Sequence, residues 1–164
     1  MNMAFILNGE DVSINSNNSN FQSRLVDILR GTFSLLGTKI GCLNGNCGNC
    51  SIILNGNVVK SCLIPAFKVH GSEIITIEGF SQTDEYQDII NGFEEAGVED
   101  CGICSTGKIL TTEALLSRNS QPSEEEILQA FCGLRCRCTD PIELVQGVLA
   151  VSEFRRRRLY GRSS

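Results

Sequence analysis

A single histidine occurs in the 164 residues, and its scarcity removes much of the catalytic repertoire. A Ser-His-Asp set would have to be built on His70, which no accompanying motif supports; a lone histidine in a connecting segment reads as an ordinary surface or core residue. Missing too is a glycine loop that leads into a helix with the lysine a P-loop needs, which excludes phosphate chemistry of that type. No apolar run approaches the ~20 residues of a membrane-spanning helix. The opening MNMAFILNGEDVS has neither the charged n-region nor the long apolar h-region of a secretory signal, so a cytoplasmic chain with no membrane partner is expected. Positive charge is in deficit: the formal net charge is −5, the pI is near 4.9 and the mean hydropathy is +0.01. Bulk composition therefore favours neither nucleic-acid binding nor disorder. One basic run, RRRR at 155–158, reads as a helix end complementing the helix dipole or as a solvated tail.

Cysteine is what the chain has in excess. Nine are present, Cys42, Cys47, Cys50, Cys62, Cys101, Cys104, Cys132, Cys136 and Cys138. Structural disulfides rarely persist in a reducing cytosol, so metal is the leading explanation. The cysteines form two groups separated by the cysteine-free stretch 63–100, which suggests two sites in two modules. In the first, Cys42-x4-Cys47-x2-Cys50 is followed after eleven residues by Cys62, the plant-type spacing for a 2Fe-2S cluster. Four thiolates must surround two irons and two sulfides, so the loop has to turn sharply and aim backbone N–H groups at sulfur. Gly41, Gly45 and Gly48 permit this, and Cys62 closes the site from outside the loop. Buried free cysteines or zinc are the competing readings; the fourth cysteine and the glycines favour iron–sulfur. In the second group Cys101-x2-Cys104 is separated by thirty-one residues from Cys136-x-Cys138. Cys101 and Cys104 are close enough to share a helical turn, and Cys136 and Cys138, if extended, point to one face. Two pairs make a tetrathiolate site, and spacing alone leaves zinc and iron–sulfur both open.

Local signals divide the chain at the same place. MAFILNGEDVSIN and SIILNGNVVKSC each read as a hairpin turning at Asn-Gly. Between them Leu25, Ile28, Leu29 and Leu36 recur near helical spacing, after an Asn/Ser run at 15–20 that suits a turn and cap. EIITIEG, from Glu73, supplies another strand. This is a small mixed sheet of the β-grasp kind. Beyond it the period changes: Tyr86, Ile89, Ile90 and Phe93 follow i, i+3, i+4, i+7. Further helices are expected over 108–118, over 123–131 with Ser123 and Glu126 as a capping box, and over 140–154 with Pro141 in the first turn. The expected architecture is α+β, with a sheet module over 1–80 and an all-α four-helix module over 81–164, joined by a linker at 79–85.

TKIGCLNGNCGNC, Ser61-Cys62, CGIC at Cys101 and CRCT at Cys136 together resemble the small iron–sulfur subunit of the molybdenum hydroxylases, the xanthine dehydrogenase and carbon monoxide dehydrogenase family. The resemblance spans roughly residues 4–150 and fills all eight ligand positions. It implies an N-terminal plant-type ferredoxin domain with a 2Fe-2S cluster on Cys42, Cys47, Cys50 and Cys62. It implies a C-terminal helical domain with a second 2Fe-2S cluster on Cys101, Cys104, Cys136 and Cys138. In that family, electrons from a molybdopterin cofactor in a large subunit pass through the helical-domain cluster and then the ferredoxin cluster to FAD in a medium subunit. The implied assembly is a heterotrimer, itself open to dimerisation, and no substrate chemistry falls to this chain.

Three departures flank the face expected to meet the molybdenum subunit. The family usually has Gln before the first cysteine of the CGxC pair, contacting the pterin; here it is Asp100, which cannot donate as an amide does. The usual Thr-Pro-Gly after that pair is Ser105-Thr106-Gly107, and the usual CRCTGY is CRCTDP, with Asp140 and Pro141. Cys132, the ninth cysteine, is expected to be a small buried hydrophobe beside Phe131. A stand-alone two-cluster carrier or redox adaptor is the alternative to an obligate subunit; it would present a small polar surface in place of a large apolar one. One cluster plus structural zinc is a third reading, separable by counting metals.

Overall fold

A computed structural model describes residues 2–15 and 19–161. The first half is a five-stranded mixed sheet in the order β2-β1-β5-β3-β4. Its strands are β1 (Asn2–Leu7), β2 (Glu10–Asn15), β3 (Ser51–Leu54), β4 (Asn57–Lys60) and β5 (Glu73–Ile75). Strands β1 and β5 run parallel at the centre, and every other pairing is antiparallel. Both hairpins turn where expected: Asn8 and Gly9 have φ of 52° and 85°, Asn55 and Gly56 of 48° and 81°, the doubly positive geometry that favours Asn-Gly. The asparagines do more than turn. Asn8 Oδ1 accepts from the Thr76 N–H at 2.8 Å and Asn55 Oδ1 from the Glu73 N–H at 2.9 Å, so each hairpin is fastened to an end of β5.

Alternation along β1 buries Met3, Phe5 and Leu7 under helix α1 (Leu25–Gly31), as period two requires. That helix is shorter than its apolar spacing implied. It ends at Gly31, and Leu36, 54% exposed, lies in a turn beyond it. The cause is Arg30, whose Nη1 donates to the carbonyls of Leu36 and Thr38 at 3.1 and 2.8 Å and folds the chain back. No side chain caps the helix at its N-cap, Arg24, and residues 16–18 of the Asn/Ser run lie outside the described residues. EIITIEG also splits, because Thr76 Oγ1 donates to Glu78 Oε2 at 2.7 Å and a one-turn helix α2 (Ile77–Phe80) follows. Gly79 therefore belongs to α2, packed on Asn8, and the expected linker narrows to residues 81–83.

Four helices form the second half: α3 (Asp84–Ala96), α4 (Ser105–Arg118), α5 (Glu124–Phe131) and α6 (Pro141–Tyr160). Ser123 and Glu126 make the expected capping box on α5, and Asp140 with Glu143 makes another on α6, each worth about 1 kcal/mol. The departure at Asp140-Pro141 thus starts a helix. Helix α6 runs on through the basic run and divides it. Arg155 pairs with Glu113 at 2.7 Å and Arg158 with Asp88 at 2.9 Å; Asp88 is only 5% exposed. Arg156 and Arg157 reach the solvent-facing Glu153. Two of the four arginines therefore fasten α6 to α3 and α4, which neither a helix-end nor a tail reading anticipated. Among the described residues, no helix is long and apolar enough to cross a membrane.

The halves share an apolar core. On β3, Ile52 joins the cluster under α1, while its neighbour Ile53 joins Phe80, Leu110 and Ile127 of the helical cluster. Strand β3 is covered on both faces, and one face is covered by α4.

Candidate functional site

The loop between α1 and β3 carries Cys42, Cys47 and Cys50. Three backbone N–H groups point at Cys42 Sγ, from Asn46 at 3.1 Å, Cys47 at 3.3 Å and Asn44 at 3.5 Å, and the Asn49 N–H reaches Cys47 Sγ at 3.5 Å. The Asn44 N–H foremost, with those of Cys47 and Asn46, brings the Cys42 thiol down to about 6 against desolvation. Gly41 makes the wrap possible, since a Cβ there would stand 2.7 Å from Cys47 Sγ. Cys62 comes in from the turn after β4 and lies buried with Cys50 and Val26. Burial and then the Cys50 thiol push it up to about 11, while the Gly45 N–H acts the other way. Cys42 thus meets the Cys47 thiol, and Cys62 meets Cys50 and feels Cys42.

The second group is assembled from two distant segments. Cys104 Sγ lies 2.9 Å from Cys136, 3.6 Å from Cys138 and 3.7 Å from Cys101, and Cys136 lies 3.2 Å from Cys138. The sulfurs of Cys101, Cys104 and Cys138 are all within 4.8 Å of one another. Neither local expectation holds in detail. Cys101 is in an irregular turn, with Gly102 at φ 75°, and Cys104 is the N-cap of α4; Cys136 and Cys138 sit in the bent segment before α6. Thiols this close compete for protons. Burial and then its three sulfur neighbours drive Cys104 far above the ordinary thiol range. In Cys136 burial opposes but the bonds from Cys104 and Cys138 prevail, giving about 7. A metal that replaces those protons relieves the competition. The donor chemistry fits: in each group all four donors are soft sulfurs.

Both groups open on one cleft of about 530 Å³, lined from one side by Cys42, Cys47 and Asn49 and from the other by Cys101, Cys104 and Cys138. The loops touch behind it. The Arg135 N–H donates to the Cys47 carbonyl at 2.9 Å, and Gly48, at φ 78°, lies where a Cβ would meet the Gly133 carbonyl at 3.0 Å. Thr106 Oγ1, where the family pattern has proline, donates to the Gly37 carbonyl at 2.9 Å. Asp100 takes the Gly102 N–H at 2.9 Å. Its carboxyl is held below its ordinary value by the Ser105 hydroxyl, that N–H and the charge of Lys108, which outweigh burial.

Two residues depart from expectation. Cys132 is exposed rather than buried, because it caps the end of α5 instead of lying on its inner face. Lys108, which no motif singled out, is 1% exposed. Its Nζ donates to the Glu99 carbonyl at 2.5 Å and Thr139 Oγ1 at 3.1 Å, and approaches Cys138 Sγ at 3.7 Å. The available signal was its spacing: four residues after Cys104, it lies above it on one helix face. His70 is structural, its Nδ1 accepting from the Ala4 N–H at 3.2 Å.

Known proteins resemble the chain in sequence and in fold. A family described as a 2Fe-2S binding domain matches residues 76–149. The nicotinate dehydrogenase small FeS subunit of Eubacterium barkeri is 42% identical over 84% of this chain and 86% of its own length. A chain of Bacillus subtilis described as part of a probable xanthine dehydrogenase is 39% identical over 71% of this chain and 67% of its own. In the crystal structure of quinoline 2-oxidoreductase from Pseudomonas putida 86, one chain superposes with a TM-score of 0.82 at 32% identity, covering 95% of this chain and 96% of that one. With both its sequence and its fold matched by such relatives, the chain belongs to the small iron–sulfur subunits of the molybdenum hydroxylase family, of xanthine dehydrogenase type, and is one component of an oxidoreductase.

Proposed function

We propose that this chain is the electron-transfer subunit of its complex and holds two 2Fe-2S clusters. Cys42, Cys47, Cys50 and Cys62 would hold one in a ferredoxin-like β-grasp module over 1–80; Cys101, Cys104, Cys136 and Cys138 would hold the other in a helical module over 81–164. A molybdopterin-bearing large subunit would supply electrons on the helical side and an FAD-bearing medium subunit would accept them on the other, in a cytoplasmic heterotrimer. The observation that carries the reading is that Cys42 and Cys47 line one side of a single cleft and Cys101, Cys104 and Cys138 the other, with Cys136 beside Cys104 and Cys138 and Cys62 beside Cys50.

When bound, a 2Fe-2S cluster supplies a one-electron redox centre. What the chain supplies is the environment. N–H groups of residues 44, 46 and 47 meet the sulfur of Cys42 and favour negative charge there. Buried Cys50, Cys62 and Cys104 keep water from the inner side of each group. Large apolar side chains stand exposed beside both: Ile103 at 62% and Ile142 at 69% flank the second group, and Leu63 at 58% adjoins Cys62. Apolar residues placed there support docking to larger subunits over free diffusion.

The test is metal analysis with electron paramagnetic resonance on the complex purified through this chain. About four irons per chain, two distinct reduced signals and two larger co-purifying proteins are expected. Two irons with stoichiometric zinc would remove the second cluster, and a monodisperse lone chain with both signals would favour the stand-alone carrier.

A further inference from the structure

Lys108 is the one fully buried ammonium among the described residues, and none of its partners is a carboxylate. Its contacts are a carbonyl, a hydroxyl and a sulfur, and among the described residues it makes no ion pair; Asp100 feels its charge, but that carboxylate is engaged by Gly102 and Ser105. A buried cation without a charged partner is costly. Besides Asp100, the group facing Lys108 that would carry negative charge is Cys138, 3.7 Å from its Nζ, with the sulfur group behind it once ligated. Other cations near the cleft differ in kind. Arg135 and Arg137 are exposed to solvent, and Lys60, partly exposed, reaches the first loop only at the Gly45 carbonyl.

We propose that Lys108 is a built-in counter-charge that raises the reduction potential of the cluster held by Cys101, Cys104, Cys136 and Cys138. This rests on the ligand assignment proposed above. On reduction one electron enters from the reductant, no bond is made or broken, and the iron–sulfur–thiolate unit becomes more negative by one charge. A fixed ammonium beside Cys138 stabilises the more negative form. Because it is buried, salt screens it little. The first site uses N–H dipoles for the same purpose; the second has a full charge.

The experiment is a dithionite titration with mediators, followed by electron paramagnetic resonance, on the assembled complex with Lys108→Met and Lys108→Gln. Methionine keeps the length and removes charge and donors; glutamine removes the charge and keeps an N–H donor. Cys136→Ser identifies which signal belongs to the second cluster. In both Lys108 variants the second potential should fall by at least about 59 mV, a tenfold change in a one-electron equilibrium, equally at low and high salt. The first potential and the iron content should stay at wild-type values. An unchanged second potential, an equal fall in both, or loss of the second cluster from both variants would overturn the proposal, the last by making Lys108 part of the scaffold. A wild-type complex with only one 2Fe-2S signal would instead overturn the ligand assignment.

Discussion

The two sulfur groups reach the same donor set by opposite routes. The first is drawn from one loop and the adjacent hairpin, with its Cys42 sulfur held by N–H groups two to five residues away. The second exists only once α4 and the segment before α6 are packed together, because Cys104 meets partners 32 and 34 residues away. A local site depends on the conformation of its own loop, while an assembled site depends on the helices that bring its halves together. The contrast extends to electrostatics: peptide dipoles at the first, a buried lysine at the second.

The largest test of that contrast removes one ligand from each. Cys136→Ser should abolish or shift only the second signal and Cys62→Ser only the first, with iron falling from about four to about two per chain wherever the signal is abolished, because oxygen is a harder and poorer partner for iron–sulfur than thiolate. In the assembled complex, stopped-flow mixing with substrate should show flavin reduction lost in both, with the second cluster still reduced by substrate in Cys62→Ser. Fast flavin reduction in a Cys136→Ser complex proven to lack that cluster would mean that electrons take another route and would overturn the ordering. Next in size is Asp88→Ala. It leaves Arg155 and Arg158 without their shared carboxylate and should cost about 3 kcal/mol, lowering Tm by roughly 6–12 °C. If the second site depends on helix packing, its signal should vanish on heating before the first does; simultaneous loss would erase the distinction. Gly48→Ala places a Cβ at positive φ against the Gly133 carbonyl, a cost of about 2 kcal/mol visible in denaturant melts. It should weaken both signals, since that residue belongs to one loop and touches the other. Smallest is Cys132→Ser. An exposed helix cap should change stability by no more than about 0.5 kcal/mol and leave both spectra intact, whereas loss of either signal would reveal a misassigned ligand.

Legibility in the sequence followed the same divide. Asn8-Gly9, Asn55-Gly56 and the Ser123 capping box announced themselves because each is a local preference satisfied by neighbours in the chain. The first cysteine loop was legible for the same reason: spacing and glycines together describe one wrapped segment. The second group could be counted but not built, since nothing near Cys104 says what lies beside Cys136. Leu36 misled because Arg30 binds carbonyls beyond the helix, and Cys132 misled because a helix end has no inner face. Lys108 escaped notice because a lysine at the start of a helix ordinarily points to water. Only the tertiary placement of Glu99, Thr139 and Cys138 turns it inward.

The hydrogen bond from the Arg135 N–H to the Cys47 carbonyl has a meaning beyond holding two loops together. Viewed as a circuit of bonds, Cys47 and Cys136 are far apart along the chain. Across that one N–H···O=C contact they are separated only by the backbone of Arg135 and its peptide link to the next residue. The fold thereby inserts a short bridge between two sulfur cages, and its continuity depends on the close approach that Gly48 permits. If the two groups hold the proposed clusters, a variant that parts the loops by the width of a water would leave every proposed ligand in place and still lengthen this bonded route between them, which would make the joint between the modules a component of the circuit in its own right.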